Sequence, residues 1–201
     1  MLIFLHMLKV SRKDPIVSAI QKKLLMTSAE LLKVAGSYVQ IKRKAEAGII
    51  TPLGSGIYAA PSLDPFVATV LAVAKYYPDA VISNLTALVI HKLSDEFIDR
   101  VDVDIVRGKS LRNRMLKVHR VTQQRMAGTT EIKFHGHVIR VYDLERSLCE
   151  SYCLAPAGPL FYKALKRYLS KKKINTARIQ EYDKSLKSRV LSHIQQELAD
   201  D

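Results

Sequence analysis

The chain of 201 residues has no tryptophan, only 7% aromatic residues and two cysteines, and its 19 acidic residues are far outnumbered by 32 lysines and arginines. Cys149 and Cys153 stand four positions apart. Such a pair cannot build the multi-bridge framework of a small secreted domain, so a reducing, cytoplasmic setting is expected. The apolar opening, MLIFLHML, falls well short of the ~20 residues that cross a bilayer, so no membrane partner is expected. Lys9, Arg12 and Lys13 follow it, the reverse of the order in a secretory signal, and it reads as a helix or strand packed on the body. Neither Ser/His/Asp order nor a nucleophile elbow is present.

What the chain does have is 48% apolar residues, enough for a globular core, and a formal net charge of +13. That excess points to an anionic partner. Its distribution is uneven. Residues 1–61 carry nine basic and three acidic residues, residues 62–150 thirteen and eleven, and residues 151–201 ten and five. Within the balanced middle, Arg107, Lys109, Arg112, Arg114, Lys117, Arg120 and Arg125 follow one another with no acidic residue between them. A run of Lys171, Lys172 and Lys173 separates two helical patterns.

The first sixty residues carry the clearest local signals. Asp14-Pro15 caps a helix in which Ile16, Val17, Ile20 and Leu24 share a face. Thr27-Ser28-Ala29-Glu30 has the form of a capping box opening a helix over 29–35. Gly36 ends that helix, Ser37 caps the next over 38–47, and Gly48 closes it. Two helices joined by a tight glycine turn make a helix-turn-helix. On a wheel, Tyr38, Ile41 and Ala45 face inward with Lys42 at their edge, and Gln40, Arg43, Lys44 and Ala47 face out. Gln and Arg can address base edges in the major groove, while lysines hold phosphates. We therefore expect Gln40, Arg43 and Lys44 in the groove, and Ser37, Tyr38, Lys42, Lys22 and Lys23 on the DNA backbone. The period then switches to that of a hairpin, ITP-LGSG-IYAA, which makes the unit a winged helix.

Beyond residue 61 the patterns alternate between helix and strand, predicting an α+β domain over 62–201 with a small sheet and C-terminal helices. The expected elements are an apolar helix over 65–77, a helix over 84–92 capped by Ser83, strands over 100–106 and 116–121, a hairpin over 132–142 turning at His135-Gly136-His137, and helices from Asp143 onward. Asp102 and Asp104 invite a Mg²⁺ reading, and Glu131-Ile132-Lys133 resembles half of a nuclease site. The simpler expectation is an exposed strand face whose carboxylates pair with neighbouring bases. His119, His135, His137, Cys149 and Cys153 do not have a usual zinc spacing, so neither metal nor cofactor is expected, and the chain is not read as an enzyme.

The run AELLKVAGSYVQIKRKAEAGIITPLGSGIYA resembles the N-terminal winged helix of AbiEi-type antitoxins of type IV toxin–antitoxin systems. DAVISNLTALVIHKL resembles that family's strand and Ala-Leu helix, and VIRVYDLERSLCESYC its strand and "ErtLlD" helix. FYKALKRYL and IQEYDKSLKSRVLSHIQQEL match its closing helices in layout. Two positions depart from the pattern: the wing tip LGSG lacks the family's arginines, and Glu150 stands where the motif has Asp. The resemblance implies an autorepressor that binds inverted repeats in its own promoter, monomeric in solution with two copies on the DNA. It also implies an antitoxin in phage resistance that counteracts a nucleotidyltransferase-type toxin without forming a stable complex with it. Under that reading Arg107–Arg125 is the antitoxin surface or a second nucleic-acid surface. The alternatives are a regulator whose second domain senses a ligand, or a metal-dependent nuclease.

Overall fold

The computed structural model describes residues 14–171 and 173–200; the apolar opening and Lys172 lie outside the described residues. The chain is α+β and divides into two compact units. The first comprises the residues up to Ala72 together with Asn113–Met115, and the second Val73–Arg112 and the chain from Leu116 on. The boundary therefore falls inside the apolar helix that pattern alone assigns to the second domain.

In the first unit α1 (Pro15–Lys23) is followed by β1 (Leu25–Thr27), α2 (Ser28–Ala35), α3 (Tyr38–Glu46) and the hairpin β2 (Thr51–Gly54) and β3 (Ile57–Ala59). The three strands form an antiparallel sheet in the order β1-β3-β2. Three helices backed by such a hairpin are a winged helix. Its helix ends obey local chemistry. Asp14 accepts from the amides of Ile16 and Val17. The Thr27 hydroxyl accepts from the Glu30 amide while the Glu30 carboxylate accepts from the Thr27 amide at 2.8 Å, a complete capping box. The Glu30 carboxyl is held down at about 2, chiefly by that amide and further by Lys23. Ile16, Ile20, Met26, Leu31, Ile41 and Ile50 make the core.

The second unit holds a mixed five-stranded sheet in the order β6-β5-β4-β8-β7, built from β4 (Val81–Ile82), β5 (Val101–Val106), β6 (Leu116–Val121), β7 (Thr129–Phe134) and β8 (His137–Tyr142). β5 pairs parallel with β6 and antiparallel with β4; β4 pairs parallel with β8, and β7 and β8 form a hairpin. α4 (Pro65–Tyr76) crosses the boundary between the units, and α5 (Asn84–Ile90) follows β4. The chain ends in α6 (Leu144–Leu154), α7 (Pro159–Leu169), α8 (Thr176–Leu186) and α9 (Val190–Asp200). Leu88, Leu148, Phe161, Leu165, Tyr168, Ile179 and Ile194 fill the core between these helices. Among the described residues, no helix is long and apolar enough to cross a membrane.

Candidate nucleic-acid interface and the buried polar network

α3 begins where Gly36 takes a left-handed φ of 73°, which a residue without Cβ adopts at no steric cost, and where the Ser37 hydroxyl accepts from the Gln40 amide. Ile41 is the only residue of α3 that is fully buried, so the helix is anchored by one stripe and presents the rest of its surface to solvent. Gln40, Lys42 and Arg43 are exposed, as are Lys22 and Lys23 at the end of α1. The Arg43 guanidinium has no ion-pair partner among the described residues, and Lys42 pairs only with Glu46 one turn on, at 3.8 Å. Lys23 reaches Glu30 at 3.2 Å.

Two placements correct the helical wheel. Tyr38, expected in the core, is 61% exposed because the first turn of α3 projects beyond the Ile41 and Ile50 packing; Val39 beside it is 58% exposed. Lys44, expected in the groove, is half-buried and ion-paired with Asp14, the cap of α1. Its Cβ lies only 60° around the helix from Ile41, so its stem follows the buried stripe. Burial alone would raise the Asp14 carboxyl, but Lys44 and the amides of Val17 and Ile16 bring it below its ordinary value. Lys44 therefore fixes α3 against α1, and Gln40 and Arg43 remain exposed on the outer face of α3.

The wing tip Gly54-Ser55-Gly56 is uncharged, as its sequence states. The same unit, however, includes Asn113–Met115. A Cβ at Gly54 would stand 2.6 Å from Asn113 Oδ1 and 3.2 Å from Arg114 Cγ. Arg114 is exposed there, so the tip has an arginine that hairpin sequence alone does not supply.

The other members of the Arg107–Arg125 series do not form one face. Arg107, Lys109 and Arg112 lie between β5 and β6, and Lys109 pairs with Asp79 at 2.6 Å. Lys117 and Arg120 project from opposite faces of β6, since they are an odd number of residues apart. The Arg125 carbonyl lies inside the second unit, accepting from Arg146 Nη2 at 3.0 Å.

β5 is an interior strand of its sheet, and both its faces are covered. Asp102 and Asp104 are therefore 4% and 2% exposed rather than solvated, and the alternation along β5 separates an apolar from a polar interior. Asp102 Oδ1 lies 2.9 Å from His119 Nε2, and the Asp102 amide donates to Thr86 Oγ1 at 2.8 Å. This carboxylate holds the His119 imidazole above its usual range against the opposing effect of burial. The Tyr142 hydroxyl lies 2.9 Å from Asp104 Oδ2. Asp104 Oδ1 is buried with no hydrogen-bond partner among the described residues.

The strand–helix junction after β8 supplies the rest of this network, which sequence patterning does not reveal. Asp143 caps α6 through the Arg146 amide and accepts from the Tyr182 hydroxyl at 2.6 Å. Arg146, 1% exposed, pairs with Glu150 at 3.0 Å one turn on and lies 4.5 Å over the Tyr142 ring. Glu150 Oε2 in turn accepts from the Asn84 amide at 3.1 Å, at the start of α5. Burial outweighs Arg146 and pushes the Glu150 carboxyl up to about 7. The i, i+4 spacing of Arg146 and Glu150 is visible in the sequence, but that spacing is usual on exposed helix faces and does not signal burial. His91 lies with Nε2 2.7 Å from the Tyr142 carbonyl, and its burial keeps it below the usual imidazole range.

His119 is half-buried, His135 and His137 are exposed, Cys149 is buried and Cys153 exposed. Among the described residues, no three His, Cys, Asp or Glu side chains converge on a metal-sized site.

The arrangement defines a winged-helix unit joined in one chain to a mixed-sheet unit with a buried ionic network. No protein-family model matches the chain, and no curated protein matches it. A solved structure does: the crystal structure of the RV2827C protein from Mycobacterium tuberculosis is similar at a TM-score of 0.60. The match covers 85% of this chain and 70% of that one at 14% identity, a likeness of fold.

Proposed function

We propose that the protein is a cytoplasmic, sequence-specific DNA-binding autorepressor that also serves as the antitoxin of a type IV toxin–antitoxin system. The observation that carries the DNA-binding half is the outer face of α3: Gln40 and Arg43 stand exposed on the second helix of a helix-turn-helix, with Lys42 exposed on the same helix and Lys22 and Lys23 exposed at the end of α1. Arg43 is suited to the O6/N7 edge of guanine and Gln40 to the N6/N7 edge of adenine. Ser37 and Tyr38, at the helix N-terminus, and the lysines are placed for phosphates. Two copies would meet a two-fold repeat in the protein's own promoter.

The antitoxin half rests on the resemblance of the chain to AbiEi-type antitoxins, within which the second unit would counteract a nucleotidyltransferase-type toxin without a stable complex. The nuclease reading gains no support, since Asp102 and Asp104 are buried and Asp102 is engaged by Thr86 and His119.

Two measurements test the proposal. Fluorescence anisotropy with duplex DNA from immediately upstream of the reading frame should give tight, salt-sensitive binding. Co-expression with a neighbouring nucleotidyltransferase-like protein should relieve growth arrest, with no co-purification of the pair. Absence of DNA binding refutes the first half, and persistence of the arrest refutes the second.

A further inference from the structure

We infer that Val39 makes the DNA reading face specific for thymine, by packing on the 5-methyl group of a thymine within about two base steps of the guanine addressed by Arg43. The inference rests on the DNA-binding reading of α3. Seven large apolar side chains are exposed among the described residues, and Tyr38 and Val39 are the only two adjacent in sequence. Val39 lies in the first turn of α3, the part of a recognition helix that faces base edges, with Tyr38 beside it toward the phosphates in this reading. An exposed valine next to Gln40 gains nothing from water, whereas the major groove offers one apolar group per A·T pair, the thymine methyl.

The spacing fits this partner. Val39 and Arg43 are four apart, so they share one face and are separated by about 6 Å along the helix axis. Successive base pairs rise about 3.4 Å, so two side chains at that separation address bases no more than about two steps apart. Val39 has a branched, conformationally stiff side chain, which presents its two methyl groups in one orientation at little entropic cost. Lys42 and Arg43 on the same helix are exposed cations, so the patch suits a polyanion such as DNA better than an uncharged apolar partner.

The test is binding of the full chain to its upstream duplex, with each thymine of the protected repeat replaced in turn by deoxyuridine, which removes only the 5-methyl group. Wild type should lose about fourfold in affinity at one position per half-site, the effect of uncovering one methyl-sized group. Val39→Ala should bind the unmodified duplex about as tightly as wild type binds a duplex substituted at that position in both half-sites, and should be indifferent to the substitution there. Because Val39 is exposed, the variant should keep the wild-type circular dichroism and melting temperature. Uniform tolerance of deoxyuridine by a wild type that does bind, or unchanged methyl sensitivity in Val39→Ala, overturns the inference and leaves DNA binding intact. A wild type that binds no upstream duplex overturns both.

Discussion

At the residue scale, the buried pair Arg146–Glu150 has definite consequences for stability. Arg146 is held by Glu150, the Arg125 carbonyl and the Tyr142 ring with almost no contact with water. Removing one member of such a pair strands the other, which typically costs about 3–5 kcal/mol. Arg146→Ala should therefore lower the unfolding free energy by that order in a urea titration, while an exposed control such as Arg107→Ala should change little. The pH behaviour of Glu150 has a definite sign. Its folded carboxyl titrates near 7 and an unfolded one near 4.5, so the folded chain holds an extra proton between those values. The stability associated with Glu150 is thus complete below about pH 4.5 and lost as the pH rises through 7. Glu150→Gln does not titrate, and its melting temperature relative to wild type should climb between pH 5 and 8. A pH-independent difference would show that Glu150 is ionised throughout. Glu150 also reaches the Asn84 amide, so Glu150→Asp, one methylene shorter, should release the start of α5.

At the element scale, the parts of the chain governed by local chemistry were legible. Asp14-Pro15, Thr27 with Glu30, and Ser37 were read as helix caps, and each makes the expected hydrogen bond to backbone amides. Loss of the Thr27 hydroxyl in Thr27→Ala should cost about 1 kcal/mol, seen as a lowered denaturation midpoint. Strands over 116–121 and the hairpin turning at 135–136 were equally readable from alternation and glycine. What failed were inferences needing a tertiary neighbour. A helical wheel points Lys44 outward because it does not contain Asp14, thirty residues earlier. Alternation points Asp102 and Asp104 to a solvated face because it does not distinguish an edge strand from an interior one. Seven basic residues spread over 107–125 read as one surface, although a strand sends neighbours to opposite faces and a turn redirects the rest. Arg114 is the instructive member: its place beside Gly54 depends on a segment joining a unit some sixty positions earlier in sequence. If Arg114 lends the wing its positive charge, Arg114→Ala should weaken DNA binding to all sequences alike and reduce the salt slope by about one, unlike Gln40→Ala, which should relax base preference.

At the scale of the whole molecule, the net charge of +13 divides between the winged helix, whose share we propose meets DNA, and a dispersed remainder on the second unit. If four to six phosphates are contacted, log affinity should fall with log salt at a slope of about −4 to −5. Exposed cations among the described residues of this unit include Lys22, Lys23, Lys42 and Arg114, with the N-terminus of α3 adding its amides. The two units have separate cores, so changes to the Arg146 network should alter melting before they alter DNA contacts made by α3. The central claim is that the exposed face of α3 reads DNA. Its most direct test is the affinity of wild type and of Gln40→Ala/Arg43→Ala for the promoter repeat and for a scrambled duplex, measured at one salt concentration. The account predicts that wild type prefers the repeat by several hundredfold or more. It predicts that the double variant, folded as judged by its melting temperature, binds both duplexes with the same weak affinity; a variant that retained the wild-type preference would contradict it.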